Sequence, residues 1–151
     1  MFGNWELTGI LTAQSGFPFT VTAGKDQSQT GLGQDRGVIV GPAKGSGACG
    51  TRAPCVDFLN RSVFALPAIG TFGNMGKNSL TGPNLIVWDM GIFKNFPFRE
   101  RYKVQFRAEF FNIFNRANFL NPTANLSSGS FGTITSANDP RIGQLALKVF
   151  F

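Results

Sequence analysis

Long segments of the chain alternate between apolar and polar residues with a period of two. In the clearest of them, Val104, Phe106 and Ala108 alternate with charged and amide side chains. Successive side chains of a β-strand point to opposite faces, whereas a helix would scatter these positions around its axis. The alternation predicts strands with one apolar and one polar face at about residues 5–15, 85–96, 102–114 and 141–151.

Two architectures produce such two-faced strands. In a soluble antiparallel sheet the apolar row is buried, and in a membrane β-barrel it faces lipid while the polar row faces the lumen. The predicted strands are about ten residues long or longer, against about five or six in soluble proteins and about nine to eleven in membrane barrels. Strand length therefore favours the barrel, and a soluble β-sandwich that binds a ligand or serves in adhesion is the alternative.

The connections between the strands are long, short and long. Gly-, Ser-, Asn- and Pro-rich tracts occupy about 23–83 and 115–140, and a tight turn occupies 97–101. Outer-membrane barrels combine short periplasmic turns with long external loops. The prediction is an all-β fold in which residues 1–151 form a single antiparallel transmembrane β-barrel segment with a short periplasmic turn.

Four strands are too few to close a barrel, because known barrels have about eight or more. The N-terminus also lacks a basic region followed by an apolar stretch, so no signal peptide is recognised. We therefore expect Met1 to be an internal start or a truncation point, and the chain to supply the last strands of a large barrel.

The barrel interpretation assigns a role to each face. With the short turn in the periplasm, an aromatic girdle is expected from Trp5, Phe96, Tyr102 and Phe151. Arg107 and Glu109 are two residues apart and are expected to pair on the polar face. The polar residues predicted to line the lumen are Asp89, Lys103, Gln105, Arg107, Glu109, Gln144 and Lys148.

Composition narrows the possible chemistry. The chain has 17 Phe and 19 Gly but no His, so a Ser-His-Asp triad, a Cys-His pair and a His-ligated metal are excluded. We find no catalytic constellation and no cofactor or metal site, and we expect no enzymatic activity. A net charge of +6 would permit nucleic-acid binding, but the Lys and Arg residues are dispersed, so no nucleic-acid partner is predicted.

Cys49 and Cys55 lie in a loop rich in Gly and Pro, with five residues between them. Such a backbone bends enough to allow a short disulfide if the loop meets an oxidising compartment. Two free thiols are the alternative. A metal site is disfavoured by the spacing and by the absence of His.

The sequence resembles the C-terminal part of TonB-dependent outer-membrane receptors, specifically the Oar-like kind whose full chains begin with a carboxypeptidase-regulatory-like domain. The segments that carry the resemblance are LTGILTAQSGFPFTV (7–21), GTFGNMGKNSLTGPNLIVWDMGIFKNFPF (70–98), FRAEFFNIFNRANFLNP (106–122) and FGTITSANDPRIGQLALKVFF (131–151).

The resemblance implies a location in the outer membrane of a Gram-negative-type bacterium and a share in the energised uptake of a bulky nutrient. The implied partners are outer-membrane lipid, the barrel-assembly machinery, and the plug and upstream strands of the receptor. Through these parts of the receptor, the TonB energy-transducing complex is a further partner. The resemblance also implies a C-terminal assembly signal made of Gly143, Leu145, Leu147, Val149 and Phe151.

Overall fold

The computed structural model describes residues 3–47, 49–98 and 102–151. The described chain is all-β, with one 3-10 turn at Arg61–Val63. Its strands are β1 (Trp5–Gln14), β2 (Pro18–Phe19), β3 (Val38–Ile39), β4 (Phe64–Ala65), β5 (Leu80–Thr81), β6 (Leu85–Phe98), β7 (Tyr102–Phe111) and β8 (Ile142–Phe150).

The chain divides into two compact units. Unit 1 takes in the described residues of Met1–Gln14, Ile86–Arg116 and Asp139–Phe151, and unit 2 those of Ser15–Leu85 and Ala117–Asn138. Unit 1 thus carries the long strands, and unit 2 carries the segments that join them. The sequence predicted long external loops where unit 2 lies, and it did not predict that they pack into a unit with its own core.

A four-stranded sheet with the order β1-β6-β7-β8 forms unit 1. The pairs β6–β7 and β7–β8 are antiparallel. The N–H of Asn95 donates to the carbonyl of Asn4, and Gly91 lies beside Thr8, so β1 also runs antiparallel to β6. Each long strand therefore pairs with the next long strand along the chain, which is the meander typical of antiparallel barrels.

The predicted long strands are present within three residues of their expected bounds. The largest difference concerns β7, which ends at Phe111 and not at residue 114. Asn112 takes a positive φ of 50°, a left-handed conformation that cannot continue a strand and that Asn tolerates better than most residues. The tight turn predicted at 97–101 includes residues 99–101, which lie outside the described part of the chain.

Unit 2 has a hydrophobic core of its own. Short antiparallel pairs join β2 to β5 and β3 to β4, and isolated bridges connect other segments. The core cluster consists of Phe19, Val21, Leu59, Phe64, Met75, Leu126 and Phe131. The connecting tracts at 23–83 and 115–140, predicted as external loops, are therefore largely parts of a packed unit.

None of the described residues form a helix that is both long enough and apolar enough to cross a membrane.

Candidate functional site

One face of the unit 1 sheet is a nearly continuous apolar surface. Residues directly opposite each other in an antiparallel pair project to the same face, so the register assigns each strand position to a face. Ala108, for example, lies between Ile92 on β6 and Leu145 on β8. The apolar residues on this face of the three strands are Met90, Ile92, Phe96, Val104, Phe106, Ala108, Phe110, Leu145, Leu147 and Val149.

The β8 part of the apolar face is uncovered. Leu145 and Leu147 expose 69% and 68% of their surface, and Val149 is also exposed. Contiguous exposed apolar surface of this kind marks contact with lipid or with another apolar surface. The exposed apolar row of β8 also differs from the inner face of a β-sandwich, which a second sheet covers.

The proposed assembly-signal residues of β8 belong to this face. Gly143, Leu145, Leu147 and Val149 stand opposite apolar-face residues of β7. Phe151 follows the end of β8 and is 96% exposed.

The residues predicted to line a lumen share the opposite, polar face. Gln105 stands opposite Lys148, and Glu109 stands opposite Gln144. Lys103 and Arg107 alternate with them along β7, and Asp89 has the same strand parity as Gly91, the partner of Glu109. The register thus places these predicted residues together on one face.

A hydrogen-bonded row follows the polar face. The guanidinium of Arg107 donates to the carboxylate of Glu109 at 3.0 Å, which confirms the predicted pairing. Its central carbon also lies 4.9 Å from the ring centroid of Phe93. The amide of Gln105 donates to the side-chain oxygen of Asn95 at 3.0 Å. These contacts hold two pairs of polar side chains, Gln105 with Asn95 and Arg107 with Glu109, on the polar face.

The predicted girdle residues gather at the end of the sheet that adjoins residues 99–101. Tyr102 stands opposite Phe98, and Phe96 shares its face two positions away. Phe98 is exposed, so it adds an aromatic ring that the sequence prediction omitted. Extending the alternation of β6 by two residues would have identified it.

Lys94 interrupts the apolar row near this end. It stands opposite Phe106 and is only 9% exposed. Its ammonium donates to the carbonyl of Gly3 and lies 4.8 Å from the ring centroid of Trp5. A cation held by a carbonyl and aromatic rings is stabilised away from bulk water. Lys94 has the same strand parity as Ile92 and Phe96, so the alternation of the sequence could have placed it on the apolar face.

A second network closes the far end of the sheet. The Asp89 carboxylate accepts the N–H of Asn112 at 2.9 Å. The Asn112 side chain exchanges hydrogen bonds with the backbone of Arg116, at 2.9 and 3.0 Å. The side chain of Asn115 accepts the N–H of Arg141 at 2.9 Å. This network ties the chain leaving β7 to the chain entering β8, and Asp89 serves it as a structural acceptor.

Cys49 and Cys55 are joined by a disulfide in unit 2. Cys55 is buried, and its backbone exchanges hydrogen bonds of 2.8 and 2.9 Å with that of Ile134. The bridge therefore fixes the 49–55 loop on the segment that contains Ile134.

The carboxylates of the polar face have protein partners. A shallow groove of about 180 Å³ is lined in part by Asp89, Gly91 and Glu109. Asp89 accepts the N–H of Asn112, and Glu109 pairs with Arg107. In the described ranges, no group of three or more His, Cys, Asp or Glu side chains is placed to hold a metal ion. The distinctive feature of unit 1 is thus its division into an apolar and a polar face.

Comparison with known proteins agrees with this division. A protein-family model described as an outer membrane beta barrel domain matches residues 1–144. No curated protein and no solved structure matches the chain. Strands that alternate between lipid-facing and lumen-facing residues are typical of such barrels. The chain therefore belongs to the outer membrane β-barrel domain family and is located in the outer membrane.

Proposed function

We propose that the chain forms the C-terminal wall of a TonB-dependent outer-membrane receptor of the Oar-like kind, which takes up a bulky nutrient. The observation that carries the proposal is the antiparallel meander β1-β6-β7-β8, with an apolar face that is exposed along β8 and an opposite polar face. In this role the apolar face contacts lipid, and the polar face lines the lumen.

The edges of the meander support a place within a larger barrel. In the described part of the chain, β1 and β8 each pair with a long strand on one side only. An unpaired strand edge within the hydrocarbon layer costs several kcal/mol for each backbone group left without a partner. The upstream strands of the receptor would supply the missing pairs.

The remaining partners follow from this role. The barrel-assembly machinery would recognise the β8 residues Gly143, Leu145, Leu147 and Val149 together with Phe151. The receptor's plug would occupy the lumen and connect the barrel to the TonB energy-transducing complex. The wall itself would have no enzymatic activity and would bind neither cofactor nor nucleic acid.

Native cells provide the test. An antibody to the C-terminal peptide should detect, in the outer-membrane fraction, a band several-fold heavier than 16.3 kDa. Strains lacking this gene, the TonB protein, or both are then grown on iron chelates, oligosaccharides or peptides as the limiting nutrient. We expect one nutrient class on which all three strains fail equally. If losing this gene reduces growth further in cells without TonB, the TonB-dependent role is wrong.

A further inference from the structure

Unit 2 contains a polar cleft that the barrel-wall function does not use. Two antiparallel segments, 43–47 and 57–60, form one of its sides. The N–H of Gly45 donates to the carbonyl of Phe58 at 2.9 Å, and that of Gly47 to the carbonyl of Asp57 at 3.1 Å. The cleft is therefore built on paired backbone and not on a loose loop.

Glycine is required where these segments meet. A Cβ atom on Gly45 would lie 1.9 Å from the carbonyl oxygen of Asp57, and one on Gly47 would lie 2.0 Å from that of Val56. Asp57 itself has a positive φ of 56°, a conformation that Asp tolerates better than most residues. The local sequence thus specifies this close approach and with it the shape of the cleft.

The cleft has the size and lining of a site for a small polar ligand. Its volume is about 560 Å³, within the usual range of roughly 300–1,000 Å³ for ligand pockets. Leu59, a member of the hydrophobic core, also contributes to the lining and anchors it to the packed interior. The polar side chains that line the cleft belong to Lys44, Ser46, Asp57, Asn60, Arg61 and Ser62.

Arg61 is held in position by the protein. Its guanidinium donates to the carbonyl of Ser128 at 3.2 Å and lies 5.8 Å from the ring centroid of Phe131. A guanidinium has five N–H donors, so donors remain for a ligand after these contacts. A cation already ordered in this way loses less conformational entropy when it binds a ligand.

Two further charged side chains, those of Lys44 and Asp57, line the cleft. Among the residues that the structure describes, neither Lys44 nor Asp57 forms an ion pair. Two cations and one carboxylate thus line the same cleft as two hydroxyls and an amide. This combination suits a ligand that carries both an anionic group and several hydroxyls, because carboxylates accept hydrogen bonds from hydroxyls and cations bind carboxylates.

We propose that this cleft binds an acidic sugar. Lys44 and Arg61 bind the sugar carboxylate, and Asp57, Ser46 and the side-chain N–H groups of Asn60 exchange hydrogen bonds with its hydroxyls. The Ser62 hydroxyl donates to the Asn60 side-chain oxygen at 2.7 Å and orients that amide. The binding goes beyond the proposed uptake function, because it needs neither an energy source nor transport. It can therefore be measured in isolated, de-energised outer membranes that contain the native full chain.

The probe is fluorescently labelled digalacturonic acid, with neutral galactobiose and inorganic phosphate as competitors. Wild-type membranes should retain more probe than membranes from a strain that lacks the gene. Lys44→Gln should raise the dissociation constant about tenfold or more, as loss of a charge-assisted hydrogen bond does. Lys44→Arg, which keeps the charge, should restore binding to within about threefold.

Lys77→Gln is the matched control, because Lys77 is an exposed lysine of unit 2 that does not line the cleft. Its binding should equal that of the wild type. Non-reducing gel mobility verifies that each variant still forms the Cys49–Cys55 disulfide and hence folds unit 2. Equal effects of Lys44→Gln and Lys77→Gln would overturn the proposal. Equal competition by galactobiose, or by phosphate at the same concentration, would also overturn it.

Discussion

The ammonium group of Lys94 on β6 lies 4.8 Å from the centroid of the Trp5 ring on β1. Lys94 also lies 5.7 Å from the ring centroid of Phe96, which follows it on the same face. A lysine in a lipid-facing row is costly at the bilayer midplane and far less costly near the interface. We therefore expect this end of the sheet to lie at the membrane interface, and the Lys94–Trp5 contact joins β1 to β6.

This contact predicts energetic coupling between the two residues. In a double-mutant cycle of Trp5→Leu and Lys94→Met, we expect a coupling energy of about 0.5–2 kcal/mol, as for a partly desolvated cation–π pair. Urea unfolding of the protein refolded into lipid vesicles would measure the free energy of each variant. Effects that add to within about 0.3 kcal/mol would mean that the two side chains do not interact.

The facing assignment of β8 makes a second prediction. Leu147→Arg should destabilise the folded barrel by about 2–4 kcal/mol, because an arginine near the bilayer midplane must leave water. Lys148→Leu is the control on the neighbouring, polar face, where Lys148 stands opposite Gln105. Its effect should be smaller. Urea unfolding in vesicles compares the two, and equal costs, or a larger cost at Lys148, would reverse the assignment.

The long strands could be predicted because neighbouring residues within each strand already show the full alternating pattern. Along β7, Val104, Phe106 and Ala108 alternate with Gln105 and Arg107, so period and face follow from neighbouring residues alone. The register then adds information absent from any single segment, since it pairs Phe106 with Leu147 and Gln105 with Lys148. Within unit 1, Lys94 escaped prediction because two of its partners, Gly3 and Trp5, lie in another segment of the chain.

Unit 2 was not predictable from local patterns. Its core brings Phe19, Leu59 and Phe131 together from segments far apart in sequence, and none lies in a long alternating run. The cleft has a similar origin, because Lys44 and Arg61 line one space only when the segments 43–47 and 57–60 pair. The Gly and Pro content indicated turns correctly but could not reveal that the turns enclose a core.

Close backbone packing in unit 2 predicts a strict need for glycine at position 73. A Cβ atom there would lie 2.1 Å from the carbonyl oxygen of Arg36 and 2.3 Å from that of Gly37. Gly73→Ala should therefore destabilise unit 2 by about 1–3 kcal/mol through overpacking. Gly33→Ala is the control, since a Cβ at Gly33 meets no atom within 4 Å. Limited proteolysis in isolated outer membranes should cleave the first variant faster, and equal cleavage rates would refute the packing argument.

Asp35 should make the 26–35 segment of unit 2 sensitive to acid. The backbone N–H of Ser28 donates to the Asp35 carboxylate at 2.7 Å, and the Ser28 hydroxyl donates to the same carboxylate. These hydrogen bonds hold the pKa of Asp35 below its ordinary value of 3.8, although burial acts in the opposite direction. Because the folded pKa lies below the unfolded one, this stabilisation is fully present above about pH 4 and is lost as the pH falls through the folded value. As the pH falls through this range, hydrogen exchange of the Ser28 amide should accelerate relative to that of a control amide. The control is the N–H of Val40, which donates to the carbonyl of Val63. Asp35→Asn should abolish this acid response, and a variant that responds to acid as the wild type does would exclude Asp35 as its source.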